Sequence, residues 1–143
     1  KDDGKHPGFA AARPDLARSI GDFVERAFWT GNSLGALLGE SEMLVTPATG
    51  TMFGVGVTTD EQVELRERHR AGLLTHPAWL SVAAKEKQDN PVERGNFVLN
   101  QLLCSPPPPP PPDVAFELPD PALASAARTT RERLEALHHQ GAC

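Results

Sequence analysis

The sequence predicts a mainly α-helical protein, a small helical domain with an extended polyproline II segment between its last two helices. Two observations carry this prediction. Apolar side chains recur at helical spacing in several segments that open on a capping residue or a proline. Seven consecutive prolines, residues 106–112, then interrupt the helical pattern. Because no segment shows sustained strand-like alternation, we expect four or more helices and no sheet of three or more strands.

The amino-terminal half is predicted to start with a flexible arm, residues 1–13, followed by a helical domain, residues 14–104. The first helix is expected to begin at Pro14, because proline suits the first turn of a helix. Gly31 and Asn32 should end this helix, and Ser33 should cap a short second helix. The first helix is amphipathic, and its continuous apolar face comprises Leu16, Ile20, Phe23, Val24, Ala27 and Phe28.

The middle of the domain is predicted to contain three shorter elements. A helix should follow Thr46, with Pro47 at its first position and Gly54 at its end. Residues 61–70 are highly charged, and the spacing of Glu64 and Arg68 indicates a solvated helix face. A buried turn and a short helix around Trp79 are expected next.

The most clearly defined helix begins at Asn90. Asn90 can cap it, Pro91 occupies the first turn, and Glu93 stands at the position required for a capping box. We expect the helix to end before Ser105. Its predicted buried face comprises Val92, Val98, Leu99, Leu102 and Leu103.

The proline run is predicted to form a stiff rod about 22 Å long within a spacer of residues 105–119. A further helix should follow in residues 120–143, because its apolar side chains are spaced alternately four and three apart. Because predicted helices lie on both sides of the proline run, we favour a rod that braces the helical body. The alternative is a rod that serves as a ligand for an aromatic groove in another protein.

Charge and composition exclude several classes of function. The chain has 143 residues and a net charge of −5, without a basic patch that would neutralise phosphates, so we expect no nucleic-acid partner. No apolar run approaches the roughly 20 residues needed to span a bilayer. The chain begins at Lys1 rather than methionine, which indicates a processed or partial product.

No group of residues amounts to an active site, which favours a non-enzymatic role. His138, His139 and Cys143 come closest to a metal-ligand cluster, but histidines also suit the carboxyl end of a helix. Cys104 could act as a nucleophile only if His69 or His76 lay within hydrogen-bond distance of its thiol, and the sequence does not indicate such a contact. Glu40 and Glu42 are expected in a solvated loop. An oxidising compartment would permit a disulfide between Cys104 and Cys143, and the sequence does not decide whether it forms.

Several short motifs resemble the large planctomycete-type cytochrome c proteins, in the order and spacing found just upstream of their haem motif. They are Gly72-Leu73-Leu74-Thr75, Pro91-Val92 with Arg94-Gly95, Leu102-Leu103-Cys104, and the proline run closed by Asp113-Val114. The preceding part of the same proteins is similar to two earlier segments of this chain, Phe23-Val24 to Leu37-Leu38 and Phe53-Gly54-Val55. The family's helix that leads to the haem-binding Cys-x-x-Cys-His is similar to Arg131 to Leu134 with His138.

The resemblance implies a haem-adjacent helical module of an exported, periplasmic or extracellular c-type cytochrome-like protein that supports electron transfer. Cys143 stands where the first haem thioether cysteine would be, but the second cysteine and the iron-binding histidine are not in this sequence. The resemblance therefore implies haem c for full-length family members and no cofactor bound by this chain alone. The alternative hypothesis is a non-catalytic structural subunit that docks on a larger assembly through its helices and proline rod. The implied partners are other proteins or the rest of a larger chain.

Overall fold

A computed structural model of the protein describes residues 7–84, 89–109 and residue 132. These residues fall into two compact units that divide between Lys87 and Gln88, and each unit is described by itself. The described residues are mainly helical, as predicted, with five α-helices and one small sheet. Within them, no helix combines the length and apolar composition needed to cross a membrane.

The first unit is built on one long helix, α1, which spans Phe9–Trp29. The prediction that this helix begins at Pro14 is wrong, because residues 9–13 of the expected arm are already helical. Phe9 packs against the core and Ala12 is fully buried, so apolar burial stabilises this extra turn despite the proline that follows it. The helix ends at Trp29, and Asn32 adopts a positive φ of 42° beyond it, as the Gly31-Asn32 pair predicts.

Only part of the predicted apolar face of α1 is buried. The buried positions of α1 are Ala12, Leu16, Ser19, Phe23 and Ala27. Val24 and Phe28 belong to the predicted face but remain exposed. The buried stripe is thus narrower than the apolar stripe, and it includes one polar residue, Ser19.

A two-stranded antiparallel sheet crosses α1, although the sequence predicts no strand here. Strand β1 spans Glu42–Val45 and strand β2 spans Glu61–Glu64, with Met43 opposite Val63 in the register. The predicted helix over residues 61–70 is therefore wrong: β2 is followed by a 3-10 turn at Arg66–Arg68. Each strand has four residues, which is too short for an alternating pattern to stand out from the sequence.

Short helices complete the first unit. Helix α2 spans Leu34–Gly39 and is capped by the Ser33 side chain, which accepts a hydrogen bond from the Ala36 amide, as predicted. Helix α3 spans Gly50–Phe53, three residues later than expected, and ends at Gly54 in the predicted left-handed conformation. A 3-10 turn at Leu73–Thr75 leads into α4, Pro77–Ala83.

The core of the first unit lies between α1, the sheet and the short helices. Its buried side chains are Leu16, Phe23, Met43, Val45, Phe53, Leu65 and Ala78. Polar contacts at its edge hold α1 across the strands: the Thr46 hydroxyl donates to Asp15, and Arg26 pairs with both Asp22 and Glu42. These contacts fix which face of α1 meets the sheet.

The second unit contains the helix predicted at Asn90. Helix α5 spans Pro91–Phe97, and the Asn90 side chain accepts a hydrogen bond from the Glu93 amide, which confirms the predicted cap. The helix continues as a π-helical segment, Val98–Leu102. In the part of this unit that the structure describes, Val92, Leu99 and Leu103 of the predicted buried face are exposed. Its other two residues, Val98 and Leu102, are half-buried, so the prediction of a fully buried face is wrong there. Apolar spacing identifies a face that favours burial, but the burial itself requires a covering neighbour.

Four residues of the proline run, residues 106–109, are described, and they are exposed and lie outside any helix or strand. The expectation that the rod braces the helical body stays a prediction. The remainder of the rod lies outside the described residues. Within the predicted carboxyl-terminal helix only Glu132 is described, and it is helical.

Gly72 is expected to be indispensable for the first unit. Its φ is +69°, and a Cβ at this position would stand 2.1 Å from the carbonyl oxygen of Leu38. Its amide donates to the Glu40 carbonyl, so the backbone cannot move away without losing that bond. We expect Gly72→Ala to lower the free energy of unfolding by about 3 kcal/mol, measured by urea denaturation.

The matched control for this substitution is Gly56→Ala. No atom lies within 4 Å of a Cβ built at Gly56, and its φ is not in the left-handed region. We expect this variant to unfold within about 0.5 kcal/mol of the original protein. Equal stability of the two variants would contradict the close contact at Gly72.

Candidate functional site

A chain of hydrogen bonds crosses the core of the first unit and contains its most unusual pair of side chains. The Nδ1 atom of His76 accepts a hydrogen bond from the Ala78 amide at 3.2 Å, which caps α4. Because Nδ1 is an acceptor, the proton of the neutral ring is on Nε2. Nε2 lies 3.1 Å from the Ser19 hydroxyl and donates to it. The Ser19 hydroxyl in turn donates to the Leu44 carbonyl at 2.6 Å.

The surroundings of His76 keep it uncharged. Its ring is fully buried and contacts the rings of Phe23 and Phe53, with centroid distances of 5.9 and 5.4 Å. Burial, and secondly the positive charge of Arg70, lower the pKa of His76 to about 4. The Arg70 guanidinium donates to the carbonyls of Thr75 and Met52. These two bonds hold the guanidinium close to the imidazole. Among the described residues, no carboxylate pairs with Arg70 to neutralise its charge.

The Ser19–His76 pair does not have the arrangement of a nucleophile and its base. Catalysis of that type requires the serine to give its proton to the imidazole. Here the hydrogen bond runs in the opposite direction, and the serine proton is given to the Leu44 carbonyl. Neither side chain is accessible to solvent. The pair therefore satisfies buried polar atoms and links α1, β1 and α4.

The sequence-predicted chemical residues do not come together in the described part of the chain. Cys143, with His138 and His139, lies outside the described residues. Cys104 is exposed and carries a free thiol. His76 cannot act as its base, because both ring nitrogens are engaged within the first unit. His69 is an exposed residue in the left-handed conformation.

The two glutamates expected in a solvated loop have structural roles instead. The Glu40 carboxylate accepts hydrogen bonds from the amides of Ser41 and Glu42, immediately before β1. Glu42 is the first residue of β1, and its carboxylate accepts a hydrogen bond from Arg26 at 3.0 Å. Across residues 7–84 and 89–109, no three histidine, cysteine or acidic side chains are grouped so that they could hold a metal ion.

Among the described residues of the first unit, two apolar grooves open on the surface. One lies between α1 and α4, has a volume of about 490 Å³, and is lined mainly by apolar residues, including Leu16, Ile20 and Trp79. The other has a volume of about 340 Å³ and lies between the end of α1 and α2, where Val24, Leu34 and Leu37 line it. Three of the residues that line this second groove, Val24, Phe28 and Leu34, are also exposed, and they form the apolar surface termed the α1–α2 face.

Sequence reasoning missed both the buried hydrogen-bond chain and the exposure of the α1–α2 face. A signal for the former was present, since Ser19 interrupts the apolar stripe between Leu16 and Phe23. A hydroxyl in such a position needs a buried partner. The identity of that partner, His76, depends on a contact between residues 57 positions apart, which no local pattern encodes.

Removal of the Ser19 hydroxyl is expected to destabilise the fold. Ser19→Ala leaves the Nε2 proton of His76 without its acceptor and the Leu44 carbonyl without its donor. We expect the free energy of unfolding to fall by about 2 kcal/mol in thermal or urea unfolding. Ser81→Ala is the matched control, because the Ser81 hydroxyl makes only a local, part-buried bond to the Pro77 carbonyl. That variant should lose less than about 1 kcal/mol.

The buried histidine also predicts how stability depends on pH. In the unfolded chain His76 gains a proton near pH 6.5, whereas in the folded chain it does so only near pH 4. Between these values the unfolded state binds more protons, so stability is lost as the pH falls from about 6.5 to about 4. The loss should reach about 3 kcal/mol.

The measurement is urea unfolding across this pH range, for the original protein and for His76→Gln. Other carboxylates titrate in both proteins, so the difference between the two curves isolates the histidine. We expect the variant to be less stable at pH 7 and less sensitive to acid. Parallel curves would show that His76 is not held neutral by the fold.

The segment that contributes His76 and Arg70 to this network also matches a known protein family. Residues 70–143, a little over half of the chain, match the model of a family described as PSCyt3, a protein of unknown function (DUF1588). The match begins at Arg70 and includes His76, α4, α5 and the proline run. No curated protein and no solved structure matches the chain. The name associates the family with cytochrome c proteins, in agreement with the resemblance seen in the motifs. The chain belongs to the PSCyt3 family.

Proposed function

We propose that this chain is a haem-adjacent helical module of an exported c-type cytochrome-like protein, in which it supports electron transfer. The observation that carries the proposal is membership of the PSCyt3 family, whose match extends from Arg70 through the proline run to Cys143. The motifs in that segment resemble those that precede a haem attachment site. The proposed location is the periplasm or the cell exterior, since c-type cytochromes of this type are exported.

The geometry of the first unit supports a role as scaffold rather than catalyst. Its one Ser–His pair in the described residues is buried and uses its protons to hold three elements together. Arg70 donates to backbone carbonyls at the base of the same site, so its guanidinium is engaged in holding the fold. A module that positions a neighbouring redox group needs such rigidity, because the rate of electron transfer depends on a fixed arrangement of donor and acceptor.

The residues of this chain do not by themselves fit a covalently attached haem. Attachment of haem c uses two cysteines in a Cys-x-x-Cys-His motif, and the histidine binds the iron. The two cysteines of the chain are Cys104 and Cys143, which are far apart in sequence and have no such motif. The buried His76 has no free ring nitrogen for iron. In our proposal the haem is therefore held by sequence that follows Cys143, with Cys143 as its first thioether cysteine.

A second candidate function is a non-catalytic structural subunit of a larger assembly. The exposed α1–α2 face favours it, since exposed apolar patches of this kind mark sites of protein association. The four described prolines are also exposed and accessible to a partner. Both candidates involve other proteins or the rest of a larger chain, and they differ in whether haem is close by.

The reading frame that encodes this sequence, followed beyond the codon for Cys143, distinguishes the two candidates. A Cys-x-x-Cys-His motif that starts at Cys143 is expected, and the protein purified from that frame should show the absorption bands of haem c. A frame without any haem-binding motif would contradict the electron-transfer proposal and favour the structural subunit.

The isolated 143-residue chain is expected to carry no covalent haem. It should be produced together with a c-type haem maturation system, so that the outcome reports on the chain and not on the host. Intact mass and a pyridine haemochrome assay make the measurement, and a Cys143→Ser variant is the control. A mass gain of one haem in the original chain would contradict our assignment of haem to sequence beyond Cys143.

A further inference from the structure

The groove between α1 and α4, termed the α1–α4 groove, has one cation within an apolar lining. Helix α1 contributes Phe9, Arg13, Leu16, Ala17 and Ile20 to this lining. These positions recur at helical spacing, so their side chains form one stripe along α1. Arg13 stands within that stripe, with apolar residues on both sides of it.

The size and composition of the α1–α4 groove are those of a small-molecule site. Its volume is about 490 Å³. Ligand pockets typically measure about 300–1,000 Å³ and are mostly apolar, with a few polar groups that fix the orientation of the ligand. Besides Arg13, the polar side chain of the lining is Ser81, whose hydroxyl already donates to the Pro77 carbonyl. Arg13 is therefore the group that would orient a ligand here.

Arg13 differs from the other arginines of α1. Arg18 and Arg26 each form ion pairs with carboxylates of the first unit. For Arg13, no ion pair and no side-chain hydrogen bond occurs within the described part of the chain. The first turn of α1, immediately before it, contains no acidic residue. In a protein with a net charge of −5, the groove thus presents a cation that its described surroundings do not neutralise.

From this arrangement we propose that the α1–α4 groove binds a small apolar monocarboxylate, with the carboxylate on Arg13 and the apolar body against Phe9, Ile20 and Trp79. A guanidinium holds a carboxylate through two parallel hydrogen bonds, which gives the ligand one orientation. Removal of the apolar body and of the groove lining from water supplies the affinity. This binding site does not depend on whether haem lies close to the chain.

The charge of Arg13 selects among the classes of occupant. A neutral apolar molecule would remove water from the guanidinium without replacing its hydrogen bonds, which is unfavourable. A cationic ligand would meet a like charge. A second copy of the chain would bring together two molecules with a net charge of −5 each. An anion with an apolar body avoids all three costs.

Titration of the 143-residue chain with octanoate at pH 7 tests the proposal. In a Trp29→Phe background Trp79 is the only tryptophan, so its emission reports on the groove. We expect saturable binding with a Kd on the order of 1 mM, by calorimetry and by a shift of this emission to shorter wavelength. Octanol has the same apolar body without the charge, and it should bind about tenfold more weakly. Only the octanoate affinity should fall when salt rises from about 0.05 to about 0.5 M.

Two pairs of variants locate the ligand. Arg13→Gln should weaken octanoate about tenfold and leave octanol unchanged. Arg68→Gln, the control, removes the same charge from an exposed residue that does not line the groove, and should change the affinity less than about twofold. Ala17→Phe fills the groove from an exposed position and should weaken both ligands. Its control is Ala11→Phe, at an exposed position of α1 outside the groove, which should bind both as the original does.

Several outcomes would overturn the proposal. One is the absence of octanoate binding up to about 10 mM. Equal affinity for octanoate and octanol, or equal losses in the Arg13 and Arg68 variants, would contradict the pairing of the carboxylate with Arg13. A shift of the Trp79 emission with protein concentration alone would assign the groove to a second copy of the chain instead.

Discussion

The hydrogen bonds that run from the Ala78 amide through His76 and Ser19 to the Leu44 carbonyl connect three elements that are far apart in sequence. Each buried polar atom in the series has its partner, so the cost of removing these groups from water is offset. The series requires a neutral histidine. In a charged ring Nδ1 would carry a proton and could not accept the hydrogen bond of the Ala78 amide, and the positive charge would lie close to Arg70. The packing of α1 on β1 and α4 thus depends on the protonation state of one side chain.

The network joins residues that lie before the start of the PSCyt3 match to residues inside it. The PSCyt3 match begins at Arg70, so His76 and Ala78 lie inside it, whereas Ser19 and Leu44 precede it. The core is divided in the same way: Ala78 comes from the matched segment, and the other core side chains, such as Phe23 and Met43, come from before it. Residues 9–65 therefore complete the core on which the first part of the matched segment packs. The folded unit begins well before the family boundary.

The features that were predictable from the sequence are those encoded by neighbouring residues. The caps at Ser33 and Asn90 and the left-handed glycine at Gly54 were predicted correctly, because each depends on a few adjacent positions. The strands were missed because their pairing depends on partners about twenty residues away. The buried face of α1 was only partly right, since apolar periodicity gives the direction of a face and not whether a neighbour covers it. For the same reason the sequence did not reveal the exposure of Phe28.

The exposed apolar side chains of the first unit are concentrated at one place. Inside the unit, the polar side chains of Ser19, Thr46, Thr49 and His76 are engaged in hydrogen bonds. The large apolar side chains that stay exposed lie chiefly on α2 and at the end of α1, among them Phe28 and Leu34. Removal of apolar surface from water releases free energy without any chemical step, so these side chains are the part of the described unit whose apolar burial the fold itself leaves incomplete.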